Sequence, residues 1–455
     1  MTLRLKHAAL RWVAVGLVGV GAAFNAGAQN QPPTEFPPYE TPPTEPESPA
    51  FSNPVINHFM QACYESSASD MPPPAGCDAL YGLIFPETPD DGSALNEALR
   101  QIEPNQVPTL SSSTFLQQGQ MTSVQSRLTA VHGGGGRGVS VLDMPLYNGV
   151  TDGRHRATAT GSAGDDKAFA DTPWGFFISG NYQDGDVNRM GEQDGFDYSS
   201  RSVTAGFDYR IGNSLVLGAS LARGNTENKV KNRRGKVDMD NWSAWFYGSY
   251  FPDDHFYLDW SLGYGKNDYD GKRHIDFESN GEPFSATLDY DTDGRQYNAS
   301  VSTGYDANYG AWQYGTYLGL DWMKATIDGY HERGGSVFAL ALDDQNAISL
   351  LSSLGGRLGY PISFSKGVVI PGVDVAFVHQ WRDEARRINA SFVALPEAGG
   401  FSITSRALDK SYFNIAMSLT GVFTGGQSAY LRFQTVAARS DVTERIIEAG
   451  YRLEF

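Results

Sequence analysis

The chain is short of cysteine, of basic residues and of long apolar runs. It has two cysteines in 455 residues, 35 basic side chains against 52 acidic ones, and 19% charged residues in all. The net charge of −17 argues against nucleic-acid binding, which needs a basic surface to displace counterions. A cysteine-based metal site is excluded as well, because Cys63 and Cys77 have only His58 nearby and that set is incomplete. Beyond the N-terminus no apolar run approaches the ~20 residues of a spanning helix. Any membrane crossing therefore has to be a closed β-barrel. No GxSxG elbow is present, and no motif calls for a bound cofactor. What is plentiful is glycine (51), phenylalanine (25), tyrosine (23) and tryptophan (8), a composition that suits strands.

The first residues, MTLRLKHAALRWVAVGLVGVGAAFNAGAQ, combine a basic start (Arg4, Lys6, Arg11), an apolar stretch from Trp12 to Phe24 and a small-x-small end. They read as a secretory signal, residues 1–28, with Ala26 and Ala28 preceding cleavage at Gln29. Export places the cysteines in an oxidising compartment, and a Cys63–Cys77 disulfide is the expected outcome. Residues 29–54 are Pro-rich and acidic, an extended disordered spacer. Residues 55–131 carry helix-spaced apolar positions in VINHFMQACYE and ALNEALRQI, and less clearly in TFLQQGQMTSVQSRLTAV. They predict a small helical segment stapled by the disulfide. Residues 132–170 form a Gly-rich linker; its GGGGRG run lacks the Lys-Ser/Thr of a phosphate-binding loop.

From Trp174 onward the pattern has period two. RSVTAGFDYR places Val203, Ala205, Phe207 and Tyr209 on one face and Thr204, Gly206, Asp208 and Arg210 on the other; FYLDWSLGYG and YNASVSTGY repeat this. The strands have about the ~10 residues that a tilted strand needs to cross a bilayer. Aromatic residues recur at the ends of the apolar stripes (Trp174 and Tyr182, Phe256 and Tyr264, Tyr297 and Tyr305), as two interfacial girdles require. Short connections (RIGN, FPDD, NYGA, FTGG) alternate with long ones at 183–199, 225–240, 266–292, 325–347 and 383–408. The fold class is therefore all-β: a transmembrane antiparallel barrel of about 12 strands over residues 171–455. A short, mostly helical and disordered N-terminal segment precedes it. Asn181, Asp208, Arg210, Asp259, Ser261, Asn298 and Ser300 fall on the polar face and are expected to line the lumen.

WGFFISGNYQDGD with the hairpins that follow, VAFVHQW, and the C-terminal AGYRLEF together resemble the autotransporter β-domain family. The resemblance implies an outer-membrane translocator that exports an upstream passenger through its barrel. It also implies that the final strand, with Tyr451, Leu453 and Phe455, is the signal read by the barrel-assembly machinery. The family's lumenal helix would lie just before Trp174, where AGDDKAFAD is the available stretch, although the stronger helix signal falls around 114–131. No internal repeat marks a passenger in residues 29–170. The expected function is thus a translocator with a minimal passenger, threading or housing its own N-terminal segment. The alternative is a surface adhesin or receptor acting through its long outer loops.

Expected partners are outer-membrane lipid and lipopolysaccharide, the barrel-assembly machinery and periplasmic chaperones, with the chain a monomer and nucleic acid excluded. The basic run KVKNRRGK (229–236) is the candidate for lipopolysaccharide phosphates. His379 with Asp383 and Glu384, and His331 with Glu332, are possible general bases at the outer rim. A rim histidine among solvated charges is the simpler reading, so no enzymatic activity is expected.

Overall fold

The computed structural model describes residues 55–61, 77–84, 93–103, 107–132, 173–189, 194–382, 387–396, 399–404, 409–423 and 427–454. All of these belong to one unit, residues 49–455. The signal and its Ala26, Ala28 and Gln29, the spacer, Cys63, most of the linker, Asp383, Glu384 and Phe455 lie outside the described residues.

In chain order the strands are β1 (Trp174–Val187), β2 (Phe196–Ile211), β3 (Leu215–Val230), β4 (Gly235–Tyr250), β5 (Phe256–Ser279), β6 (Glu282–Tyr309), β7 (Trp312–Ile327), β8 (Tyr330–His331), β9 (Leu340–Leu342), β10 (Gln345–Gly359), β11 (Ile362–Phe364), β12 (Gly367–Arg382), β13 (Arg387–Phe392), β14 (Gly400–Thr404), β15 (Ser411–Phe423), β16 (Gln427–Ala437) and β17 (Val442–Glu454). Neighbouring strands pair antiparallel from β1 to β7, then β7 with β10, β10 with β12, β12 with β15, β15 with β16 and β16 with β17. β1 closes the circle on β17, from Gly175↔Glu454 to Val187↔Val442. The three-residue β11 only extends a turn, so twelve strands form the wall. Closure leaves no unpaired strand edge in the hydrocarbon, where an unsatisfied backbone group would be costly.

Apolar side chains cover the outside of this wall. Phe176, Ile178, Val203, Leu221, Leu262, Met417 and Leu431 are all exposed, while Asn181, Thr204 and Asp208 on the opposite face are buried. Trp174, Tyr209, Tyr250, Phe256, Trp312 and Tyr451 are exposed towards the short-turn end, and Tyr182, Trp242, Tyr264, Tyr297 and Trp381 towards the other. These two rows are the girdles that fix a barrel's depth. The short turns mark the periplasmic side; one of them bends at Gly212, whose φ of +62° suits a residue without a Cβ.

The outer side departs from the expected long loops. Segments 225–240 and 266–292 are strand almost throughout, because β3–β4 and β5–β6 continue past the membrane as tall hairpins. The period-two pattern persists there with its sense reversed. On β5 the outward residues become Lys266, Asp268, Asp270 and Lys272, while Tyr269, Ile275 and Phe277 turn inward and are buried. Above the lipid the outside is water, so the apolar face must find a protein core instead.

That core includes the N-terminal helices. Residues 55–61, helix Cys77–Ile84 and helix Ser93–Ile102 contribute Val55, Ile56, Phe59, Leu80, Leu83, Leu95, Leu99 and Ile102. These pack with Ile275, Phe277, Leu288 and Tyr290 of the β5–β6 hairpin, and with Phe338, Leu340, Ile388, Phe392 and Phe401 from the outer connections. The latter belong to or flank a separate four-stranded sheet, ordered β14-β13-β9-β8. The expected self-contained helical segment is therefore part of a composite outer cap. Its helices are too short to bury their apolar faces on one another, and the tall hairpins supply the missing surface. Cys77 is buried at the start of its helix, and no free cysteine occurs among the described residues.

Candidate functional site: the occupied lumen

The polar inner face surrounds one long helix, Val107–Val131. At 1.5 Å per residue it extends about 37 Å, enough to span the membrane band from the outer cap to the periplasmic turns. A helix of this composition is unremarkable as a water-facing helix and poor as a core helix. Among its described side chains Ser112, Ser113, Gln117, Gln120, Ser123, Ser126 and Arg127 are all buried, so each needs polar partners.

The barrel wall provides them in sequence from outside to inside. Near the outer end Asn228 donates to Ser112, Ser113 bonds to Tyr269, and Asn267 donates to Ser113 at 3.2 Å. Phe115 stacks on Tyr198 with ring centroids 3.7 Å apart. One turn further Gln296 donates to Gln117 at 2.7 Å. Gln120 is held twice, donating to Asn241 at 2.8 Å and accepting from Ser243 at 2.7 Å. Ser126 donates to Glu448 at 3.0 Å and Gln125 to Asp321 at 3.3 Å. Arg127 makes a two-pronged ion pair with Asp208 at 2.5 and 2.6 Å, and both side chains are almost completely buried. Small residues make room for these contacts. A Cβ on Gly175 would lie 2.3 Å from the Arg127 guanidinium, and one on Gly119 would lie 2.8 Å from Asn181 Oδ1.

The helix ends at the periplasmic mouth. Arg210 donates to the Val131 carbonyl at 3.0 Å and Arg452 to that of Ala130 at 3.3 Å, so two cations meet the negative end of the helix. Beyond it His132 Nε2 lies 2.7 Å from Asp259 Oδ2, its ring packs against Tyr257 at 3.7 Å, and Arg357 holds Asp306 at 2.7 Å. Helix, termini and wall are thus joined by a series of polar clusters along the lumen.

Among the residues expected to line the lumen, Asn181 donates to Ser123 at 3.4 Å, Asp208 takes Arg127, Arg210 reaches Val131 and Asp259 takes His132. Ser300 donates to Asp321 at 2.6 Å, while Ser261 and Asn298 are buried with side-chain polar atoms that have no hydrogen-bond partner among the described residues. Tyr451 is exposed on the lipid face, and Leu453 is on the final strand opposite Phe176. The helix is not the stretch just before Trp174. It is the stronger signal upstream, separated from β1 by residues 133–172. Sequence reasoning missed Arg127, His132, Asp306 and Arg357. Arg357 could have been read as inward from the alternation of SSLGGRLG, but nothing local pairs it with Asp306.

Of the outer-rim histidines, His331 does not assemble with the carboxylate expected beside it. Glu332 turns away from His331 and is buried against Arg273, 2.9 Å away. That guanidinium also donates to the Gln101 and Ile102 carbonyls at 2.7 and 3.0 Å, tying a cap helix to the β5 hairpin. His379 Nδ1 lies 2.8 Å from Ser411 Oγ on the outward face, and Asp383 and Glu384 are outside the described residues. In the 229–236 run Lys229 pairs with Glu227 at 2.6 Å, Lys231 with Asp186 at 2.6 Å and Lys236 with Asp238 at 2.6 Å, while Arg234 is buried on Asp194 and Glu97. Neighbouring carboxylates already occupy these cations.

The model of the autotransporter β-domain family matches residues 176–434. The chain is 29% identical over 209 residues to an uncharacterized protein in the trpE-trpG intergenic region of Pseudomonas putida, covering 45% of this chain and 33% of that protein. It is 24% identical over 226 residues to Esterase EstA of Pseudomonas aeruginosa, covering 49% of this chain and 34% of that one. The chain thus spans about a third of the length of these curated relatives. The translocator domain of the autotransporter NalP from Neisseria meningitidis matches with a TM-score of 0.53 at 12% identity, covering 77% of this chain and 100% of that domain. That likeness is one of fold. With the barrel, its girdles and the helix in its lumen, the family match establishes that the chain belongs to the autotransporter β-domain family and carries an outer-membrane translocator barrel.

Proposed function

We propose that this barrel carries its own N-terminal segment outward and then keeps it, as a lumenal plug and an outer cap. The observation that carries this reading is the direction of the lumenal helix. Its N-terminal end joins helices packed on the outer hairpins, and its C-terminal end lies at the short-turn mouth with Arg210 and Arg452. Residues 55–102 reach that position only by passing through the barrel or by being enclosed as it closes. The adhesin alternative is less favoured, because the apolar residues of the outer connections are spent on the cap core rather than offered to a ligand. Esterase activity belongs to the relative that bears that name and finds no support in the site geometry here.

The test is conductance in a planar bilayer. The whole chain is expected to pass little current, whereas a chain lacking residues 55–132 should open a polar pore. Equal currents from the two would refute the plug.

A further inference from the structure

The lumenal helix does not fill the lumen evenly. It packs on β1 to β5 and on β7, and Gln118 and Ser126 tie it to Glu444 and Glu448 of β17 at 2.8 and 3.0 Å. From Ser112 to Val131 every residue is buried except Thr114, Gln118, Met121, Gln125 and Thr129, which are half-buried. With 3.6 residues per turn, positions spaced by three and four fall on one stripe along the helix. The wall repeats the asymmetry. Inward residues on the packed side, such as Asn181, Thr204, Ser243 and Gln296, are buried. Ser302, Asp321, Ser353, Asp374, Ser418 and Arg432, inward on β6, β7, β10, β12, β15 and β16, are only half-buried. Their strand neighbours Leu354, Val373, Leu419 and Leu431 are exposed on the lipid face, so these polar side chains meet a space inside the barrel. Gln125 of the stripe reaches Asp321 at 3.3 Å, so helix and wall bound one polar cleft. The cleft narrows where Val378 and Tyr412, paired across β12 and β15, are buried, and widens again beyond them at the half-buried Gln380.

Asp321 projects into this cleft from the middle of β7. Its hydrogen-bond partners are neutral, Ser300 at 2.6 Å and Gln125 at 3.3 Å, and among the described residues no cationic group lies within 4.0 Å of it. Asp374 and Arg432 differ, since they stand opposite Arg357 and Glu448 in the register. Ser261, Ser300 and Asp321 are successive partners across β5, β6 and β7. Ser261 Oγ and the nearby Asn298 Oδ1 have no hydrogen-bond partner among the described residues. One uncompensated carboxylate flanked by such oxygens attracts cations and repels anions. The effect is strongest in a confined space with low-dielectric walls, where field lines are focused.

We propose that the retained plug leaves a narrow aqueous passage along its open stripe, and that Asp321 makes this passage selective for small cations over anions. The inference rests on the plug reading and adds to it a residual ion path whose selectivity one wall residue sets. The helix occupies the rest of the lumen, so the permeant class is hydrated monovalent ions rather than larger solutes.

The test is the reversal potential of the whole chain in a planar bilayer under a potassium chloride gradient. The parent is expected to pass a small current that favours potassium over chloride. Asp321→Asn should lower the potassium-to-chloride permeability ratio several-fold and leave the conductance nearly unchanged. Gln125→Lys brings a cation to Asp321 from the helix side and should lose selectivity in the same way, which keeps the test open if Asp321→Asn fails to fold. Asp240→Asn, which removes an exposed carboxylate from the outer face, should behave as the parent does. Equal currents with and without residues 55–132 would refute the plug reading and the passage with it. With the plug upheld, a parent that passes no current, a parent without preference between the two ions, or Asp321→Asn and Gln125→Lys variants as selective as the parent would each overturn the passage alone.

Discussion

At the scale of single residues, the Arg127–Asp208 pair is the most consequential contact in the lumen. Both charges are removed from water, so the pair is stable only while complete. Asp208→Ala leaves Arg127 uncompensated and is expected to cost about 3–5 kcal/mol of helix docking. Arg127→Leu with Asp208→Leu should cost much less, because no charge is stranded. Urea melts of the parent and the two variants, followed by protease resistance of the helix, check the order. A second residue-scale prediction concerns acid. Burial pushes the Glu97 carboxyl up, but the Arg234 and Arg100 guanidiniums outweigh it and hold it below its ordinary value of 4.5. Its contribution to the cap is therefore fully present above about pH 4.5 and is lost as pH falls through the lower folded value. The cap of the parent should loosen in that window, and Glu97→Gln should remove this part of the acid dependence. Tryptic cleavage of the cap as a function of pH reads the difference. Inward residues such as Asp208 and Asp259 were legible from alternation alone. Their partners Arg127 and His132 were not, since pairing across 81 and 127 positions leaves no local trace.

At the scale of elements, the barrel strands were readable because lipid outside and water or protein inside impose a strict period of two. The lumenal helix was harder to recognise because its environment imposes no such asymmetry. The cradle is polar along most of the helix, and Val124 and Leu128 pack on a small apolar strip of Phe177, Trp245 and Tyr247, so the apolar stripe of TFLQQGQMTSVQSRLTAV is faint. The tall hairpins were taken for loops because the apolar stripe changes faces above the membrane. KNDYDGKRHIDF keeps its alternation but puts charge outward, and only the cap core explains why. That core yields its own prediction. Phe59 is fully buried, with Phe338 and Phe392 at ring-centroid distances of 5.0 and 5.4 Å. Phe59→Ala should destabilise the cap by about 3–5 kcal/mol. The barrel itself should keep its heat-resistant migration on gels, because no wall contact is touched. Loss of the barrel along with the cap would mean that the two do not fold as separable layers.

At the scale of the whole molecule, the cap gives the lumenal helix a direction. Helix Ser93–Ile102 is tied to the outer hairpin by Arg273, and the far end of the lumenal helix is tied to the periplasmic mouth by Arg210, Arg452 and the His132–Asp259 contact. Anchors at both ends hold a marginal, polar helix in place where its own propensity would not. Burying the apolar side chains of residues 55–102 outside the membrane also makes outward passage favourable, since among the described residues no such core is offered on the periplasmic side. The central claim is that these helices sit on the cell surface. It is tested most directly by placing a cysteine at Asn96, exposed on the cap, and treating intact cells with a membrane-impermeant maleimide. A cysteine at Asn213, in the exposed turn between β2 and β3, serves as the periplasmic reference. The account expects Asn96→Cys to be labelled on intact cells and Asn213→Cys only after the outer membrane is opened. Labelling of Asn96→Cys that also waits for the membrane to be opened would place the cap in the periplasm and contradict the account.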